Sequence, residues 1–286
     1  MSKRKSKFIL EARKHFKELT LMNNAFMNLV LEDNIPCVEE ILRVILNKPD
    51  LKVKTAKTQK MFQGFDRSIC LDVFAEDSKC VLYNIEIQQS DEGADQRRAR
   101  FHSGVIDAHS LKAGQNFKEL PECYVIFITK NDVLGLNKTI YTIHRYIDGT
   151  SEAFNDGSHV IYINASAKDD GTEIWKLIHD LQCTEADEMF FPRLAARVRF
   201  FKEEEEGEIE MSDKFDEFVK NFVKQEVKQE VKHELEKAEK KAEKKARQEK
   251  ENFVLGLIRL GKLTLEEIAQ CSGLTLKKVK SLAAAL

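Results

Sequence analysis

The sequence predicts a mixed α/β domain with helices laid over a sheet, and three observations point to it. Apolar runs of strand character (ICLDVFA at 69–75, VLYNIEIQ at 81–88 and YVIFIT at 124–129) are separated by segments whose apolar residues recur at helical spacing. Their order reads helix, strands, helix, strand, the pattern of helices covering a sheet. At 286 residues and 42% hydrophobic content, the chain can bury one sizeable core and still carry an appendage.

Each element has its own justification. Val38, Ile41, Leu42 and Ile45 share one face of a helix over Cys37 to Leu46. The runs around Asp72 and Glu86 follow as strands. Asp95 to Ala113 reads as a helix, with Ala99, Val105, Ile106 and Leu111 among its apolar positions and Gly114 at its end. Tyr124 to Thr129 is β-branched and aromatic, hence a buried strand; Ile140 to Ile147 and Val160 to Asn164 are further strands. Thr172 to Leu181 is helical, with Thr172 or Asp170 as its cap.

Composition changes after this domain. From Ser212 to Glu251 the apolar residues recur every three or four positions among Lys and Glu, and the pattern repeats at eleven. That period suits a nearly straight or slightly right-handed helical association about 60 Å long. It reads either as a solvated charged helix or as a homo-oligomer contact through Phe215, Phe218, Phe222 and Val223. The tail, Asn252 to Leu286, regains apolar character. Two short helices are expected around Gly273, with Thr264 and Thr275 as caps and Glu267 completing a capping box. This pair is either a helix-turn-helix whose Lys277, Lys278 and Lys280 meet phosphates, or a hairpin that packs on a neighbour. The resulting division is a basic segment at 1–19, a domain at 20–202, a charged linker and long helix at 203–251, and a hairpin at 252–286.

A net charge of -2 neither favours nor excludes a nucleic-acid partner, because basic residues in the first 17 positions and acids at Glu203 to Glu206 cancel. Six singly placed cysteines without CxxC or a companion His pair argue against zinc and for buried, reduced thiols. Phe8-Ile9-Leu10 is too short for a signal-peptide core, and no apolar stretch is long enough to cross a bilayer. A soluble, cytoplasmic protein without a membrane partner is expected. There is no phosphate-cradling GxxxxGK[ST] and no GxSxG elbow. His144, within a strand, reads as a packed or edge side chain.

The site with chemistry is the pair of runs around Asp72 and Glu86. Alternation puts Asn84, Glu86 and Gln88 on one strand face and Tyr83, Ile85 and Ile87 on the other. If the two runs pair, Asp72 and Glu86 converge. Two close carboxylates repel unless a proton or a cation lies between them, and oxygen ligands suit Mg²⁺. Acids on the wet face of an antiparallel sheet are ordinary, but these stand inside apolar runs, where charges are uncommon unless paired.

With these residues in view, the chain resembles the PD-(D/E)XK nuclease family transposases, the Rpn-type recombination-promoting nucleases. The resemblance is carried by RSICLDVFAED (67–77), YNIEIQQSDEG (83–93), the stretch from Gln96 to Thr129, and IYTIHRY (140–146), and extends to the tail. It implies a restriction-endonuclease-like αβββαβ core with a mixed central sheet, and Mg²⁺-dependent cleavage of DNA (with Mn²⁺ as a substitute) linked to recombination or transposition. It also implies that Asp72, Glu86 and the Ile87 carbonyl hold the metal. Gln88 stands where the general motif has lysine, so an arginine on the following helix, Arg97, Arg98 or Arg100, would supply positive charge; Arg98 is the choice. Some nucleases of this fold add a glutamate from the first helix, a place Glu39 or Glu40 would fill. The family's usual tyrosine on the second helix is His102 here. The competing reading is a catalytically weak or inactive DNA-binding and assembly protein on a nuclease scaffold.

Overall fold

A computed structural model describes residues 14–64, 66–89, 94–204 and 252–283. Their first unit is a six-stranded mixed sheet in the order β1-β2-β3-β4-β6-β5, with helices on both faces. The strands are β1 (Val53–Phe62), β2 (Ile69–Asp77), β3 (Leu82–Gln88), β4 (Cys123–Thr129), β5 (Ile140–Ile143) and β6 (Ser158–Asn164). The helices are α1 (Asn24–Leu31), α2 (Ile35–Leu46), α3 (Gln96–Ser110), α4 (Glu173–Gln182) and α5 (Pro192–Glu203).

The strands β1, β2 and β3 run as an antiparallel meander, β3 to β4 and β4 to β6 are parallel, and β5 pairs antiparallel with β6 at the edge. Parallel neighbours need a long crossover, and α3 supplies it between β3 and β4. The buried strands are the continuously apolar ones: every residue of β4 is buried, as is all of β3 up to Gln88. One core lies under α1, α2, α4 and α5, where Val30, Val38, Leu42, Leu177 and Leu194 meet Val73, Ile85, Ile126 and Ile163. The other lies under α3, where Ala99 and Ile106 meet Leu71, Phe74, Val125 and Phe127.

Local signals agree with these bounds. Asn34 and Pro36 open α2, Asp95 caps α3, and Thr172 rather than Asp170 caps α4. Two expectations about these elements need correction. The strand expected over Ile140 to Ile147 stops at Ile143, followed only by a Tyr146–Ala153 bridge, so His144 lies outside it and exposed. Leu111 follows α3 as its cap, and the helix does not reach Ala113. The helices α1 and α5 carry no sequence-based expectation, and β1 has none beyond the third strand that an αβββαβ core implies, since no run of residues reads as that strand. In β1, Val53, Ala56 and Phe62 are its only buried residues, too sparse a set to read as a strand.

The second unit holds a helical stretch at 252–260, α6 (Leu265–Ser272) and α7 (Leu276–Ala283) around a small core of Val254, Ile268 and Val279. Thr264 and Glu267 form the expected capping box, Gly273 closes α6 in the left-handed conformation, and the Thr275 hydroxyl accepts from Lys278 N–H. Because 252–260 contributes Val254, Leu257 and Ile258, the tail is a three-helix unit rather than a bare hairpin. The long charged helix expected at 212–251 lies outside the described residues. All six cysteines are free thiols, though only Cys37, Cys123 and Cys183 are buried. No helix among the described residues is long and apolar enough to cross a membrane.

Candidate active site

Asp72 and Glu86 come together where β2 and β3 part. The antiparallel ladder runs from Glu76–Leu82 to Val73–Ile85, and beyond it the acids take over the backbone's partners. Ile87 N–H donates to Asp72 Oδ2 at 3.0 Å, and Asp72 N–H donates to Glu86 Oε1 at 3.4 Å. Each carboxylate therefore accepts from the opposite strand, which fixes the pair across the fork. Alternation in β2 turns over at the same place: Val73 and Ala75 pack in one core, whereas Ile69 and Leu71 pack in the other.

A residue of β1 completes the Asp72 end. Between the pairs Thr58–Val73 and Lys60–Leu71, Gln59 adopts a left-handed conformation with φ of 49°. Its Nε2 donates to Asp72 Oδ1 at 3.3 Å and its Oε1 accepts from the Cys70 thiol. A non-glycine residue in this conformation inside a strand is costly, and such strain concentrates at functional sites. No local pattern in VKTAKTQKMF marks Gln59; only the register to Asp72 does.

On the Glu86 side, α3 supplies a basic and an imidazole group. Arg98 Nη2 stands 3.4 Å from Glu86 Oε2, and His102 Nδ1 stands 3.6 Å from Glu86 Oε1. Asp95 sets the start of the helix by accepting from Arg97 N–H at 2.7 Å, and the four-residue spacing puts Arg98 and His102 on one side. Asn84, two residues before Glu86 in β3, brings its amide to 3.2 Å from His102 Nδ1, while its Oδ1 is buried with no partner. Of the three arginines anticipated on this helix, Arg98 is half-buried against Glu86, and Arg97 and Arg100 are exposed.

The electrostatics of the pair are unfavourable as they stand. Burial pushes Asp72 above the ordinary carboxylate range, although the Ile87 N–H, the Gln59 amide and Arg98 pull it back. Burial, and then the Asp72 charge, push Glu86 to about 8. Glu86 is fully buried while its nearest cation, the Arg98 side chain at 3.4 Å, is 38% exposed, so one partly solvated guanidinium does not balance the two acids. Burial and then the charges of Arg98 and Arg67 push His102 down to about 4. Burial and both acids raise the Cys70 thiol. Two acids that cannot both ionise without a further cation are a working arrangement for metal binding, and a costly one for structure alone.

Other anticipated residues are placed as follows. Gln88 ends β3 on the Glu86 face by alternation, half-buried, with its carbonyl accepting from Lys130 N–H at 3.0 Å. Ile87 meets Asp72 through its N–H. Neither α2 glutamate joins the pair. Glu39 accepts from Val53 N–H at 3.0 Å and pairs with Arg43, which ties it to the opposite end of β1 from Gln59. Glu40 lies against the backbone of Arg193 and Leu194 at the start of α5. Among the described residues no group of three or more His, Cys, Asp or Glu side chains gathers as a metal cluster.

A mixed sheet with two buried acids on neighbouring strands, backed by a helix that brings a cation, defines the class of restriction-endonuclease-like folds. A family model described as PD-(D/E)XK nuclease family transposase matches residues 25–256, and the chain belongs to that family. Comparison with curated proteins and with solved structures gave no significant match.

Proposed function

We propose that the chain is a Mg²⁺-dependent DNA endonuclease, linked through its family to recombination or transposition. The observation that carries this reading is the buried, mutually repelling pair Asp72 and Glu86 across the β2–β3 fork. The donor set fits the ion. Magnesium keeps several waters and takes one or two carboxylates plus substrate phosphate oxygens, so two acids without a third suffice. Asp72, Glu86 and the Ile87 carbonyl are the groups that would hold it. When bound, the metal supplies Lewis-acid stabilisation and an activated water.

The chain's own residues do the rest. Ile87 N–H and the Gln59 amide keep the Asp72 carboxylate in one orientation. Gln88, where the motif has lysine, offers an amide donor and acceptor to orient water but no charge. Arg98 brings the missing positive charge to the phosphate oxygens as charge develops in the transition state. Exposed Lys57 on β1, Arg67 before β2, and Arg97 and Arg100 on α3 provide phosphate contacts around it. The compartment is the cytoplasm.

Digestion of plasmid and linear DNA by the purified chain with Mg²⁺, Mn²⁺ or EDTA tests the reading. Cleavage is expected with either metal, none with EDTA, and a loss of at least about 10³-fold in D72A and E86A. Equal cleavage by both variants would remove the two acids from the chemistry. One observation favours a second reading, a DNA-binding and assembly protein that cuts weakly or not at all: Gln88 leaves the strand without a lysine. Metal and DNA binding without cleavage would support it.

A further inference from the structure

His102 lies one turn beyond Arg98 on α3 and is 2% exposed. Its two ring nitrogens have different neighbours. Nε2 stands 3.3 Å from Arg98 Nε, whereas Nδ1 stands 3.2 Å from the Asn84 amide and 3.6 Å from Glu86 Oε1. An arginine Nε carries a hydrogen and has no lone pair to offer, so this contact is a hydrogen bond only if His102 Nε2 is bare. The ring proton then sits on Nδ1. An imidazolium, or the other tautomer, would set two N–H groups head to head in a buried site. With the proton on Nδ1, Glu86 Oε1 lies just beyond hydrogen-bond distance at 3.6 Å. The Asn84 atom at 3.2 Å from Nδ1 is its amide nitrogen, and its oxygen is buried without a partner, so a half-turn of the amide satisfies both by bringing the oxygen onto the Nδ1 proton.

The consequence falls on Arg98. A guanidinium on a long flexible stem has no fixed orientation unless one of its nitrogens is held. Here Nε is held by His102 Nε2 at 3.3 Å, and Nη2 meets Glu86 Oε2 at 3.4 Å. We propose that His102 is a positioning residue: as the Nδ1–H tautomer it tethers Arg98 by Nε and directs the Nη end, beside Glu86, toward a phosphate oxygen. The phosphate clause rests on the nuclease reading; the tautomer and the tether do not. Arginine tied in this way is a directional replacement for the lysine that Gln88 displaces. Lysine at position 98 would not serve, because it lacks the Nε–H that His102 engages.

Two measurements on the full chain test this. In protein labelled with ¹⁵N-histidine, long-range ¹H–¹⁵N spectra at neutral pH, assigned by the signal lost in H102Q, should show one protonated Nδ1 and one bare Nε2. A protonated Nε2 overturns the proposal whether or not the protein cuts DNA. In cleavage assays with Mg²⁺, H102L and R98K should each lose about 10²-fold in kcat, with the double variant no worse than either. H102Q retains a carbonyl oxygen that can accept from Arg98, and should lose about tenfold less than H102L. Additive losses in the double variant, or equal losses in H102Q and H102L at matched thermal stability, would overturn the tether. If the parent chain cuts no DNA, the nuclease reading fails while the spectra still decide the tautomer.

Discussion

At the scale of single residues, Glu86 carries the clearest consequence. Its carboxyl is held at about 8, well above the ordinary value near 4.5, so the metal-free folded protein keeps a proton there that the unfolded chain has lost. Where the folded state binds more protons, stability falls as pH rises, and for Glu86 this window spans about 4.5 to 8. His102 acts in the opposite sense, because its folded value lies at about 4, below the unfolded value near 6.5. Its contribution grows with pH up to about 6.5 and then stops. Between pH 6.5 and 8 the His102 contribution is constant, and Glu86 contributes a slope of at most about 1.4 kcal/mol per pH unit. Thermal unfolding in EDTA should show the parent losing stability across that interval relative to E86Q, which has no such proton to lose. A parallel pair of curves would mean that Glu86 is ionised without a metal.

The same residues explain what the sequence could disclose. Asp72 and Glu86 were legible because each charge interrupts a run of apolar residues, an anomaly visible without knowing any partner. Gln59 was not legible, because a glutamine among lysines and threonines is unremarkable until the β1–β2 register sets it across from Asp72. Glu39 and Glu40 show the converse. Both are helix acids of the right type, Glu39 buried and Glu40 half-buried, yet their partners, Val53 N–H and the start of α5, depend on contacts that spacing does not encode.

At the scale of elements, β1 and α3 are the two walls of the site. As the edge strand next to β2, β1 carries Lys54 and Lys57 in exposed positions. Exposed lysines discourage edge-to-edge pairing, which is reason enough for their presence. Beside a phosphate-cutting site they gain a second consequence. K57E should weaken DNA binding across all sequences, and replacement by a neutral residue should flatten the dependence of log K on log salt by about one unit. Fluorescence anisotropy over a salt series reads both, and an unchanged slope would place the DNA elsewhere. The opposite wall depends on a cap. Asp95 accepts from Arg97 N–H in the first turn of α3, so D95A should cost about 1 kcal/mol of stability. Chemical denaturation with and without the substitution measures it. That helix was readable from its apolar spacing and from Gly114, although the chain leaves it at Leu111. The strand β1 is hard to read because it buries only three residues of a mostly polar sequence, whereas in α5 the buried Leu194, Ala195, Val198 and Phe201 do recur at helical spacing, among arginines that interrupt the apolar run.

At the scale of the whole molecule, chemistry and appendage separate. Contact between residues divides the chain into Met1–Phe218 and Val219–Leu286, and every side chain of the candidate site belongs to the first. The sheet, its two cores and the helices α1 to α5 are complete before residue 204. The second unit has its own core of Val254, Ile268 and Val279, with a closed capping box and a glycine stop. A chain truncated near Ser212 is expected to remain folded, with the sheet's thermal transition intact. It should retain Mg²⁺-dependent cleavage at a kcat within a few-fold of the parent, since no residue that orients Asp72, Glu86 or Arg98 has been removed. What should change is the property carried by the removed part: the molecular mass in solution if the charged segment joins copies, or the affinity for DNA if Lys277 and Lys280 meet phosphates. Light scattering distinguishes the first and a binding titration the second. A truncated chain that folds but no longer cuts would mean that the three-helix unit lends the active site a group that the sheet and its helices do not contain.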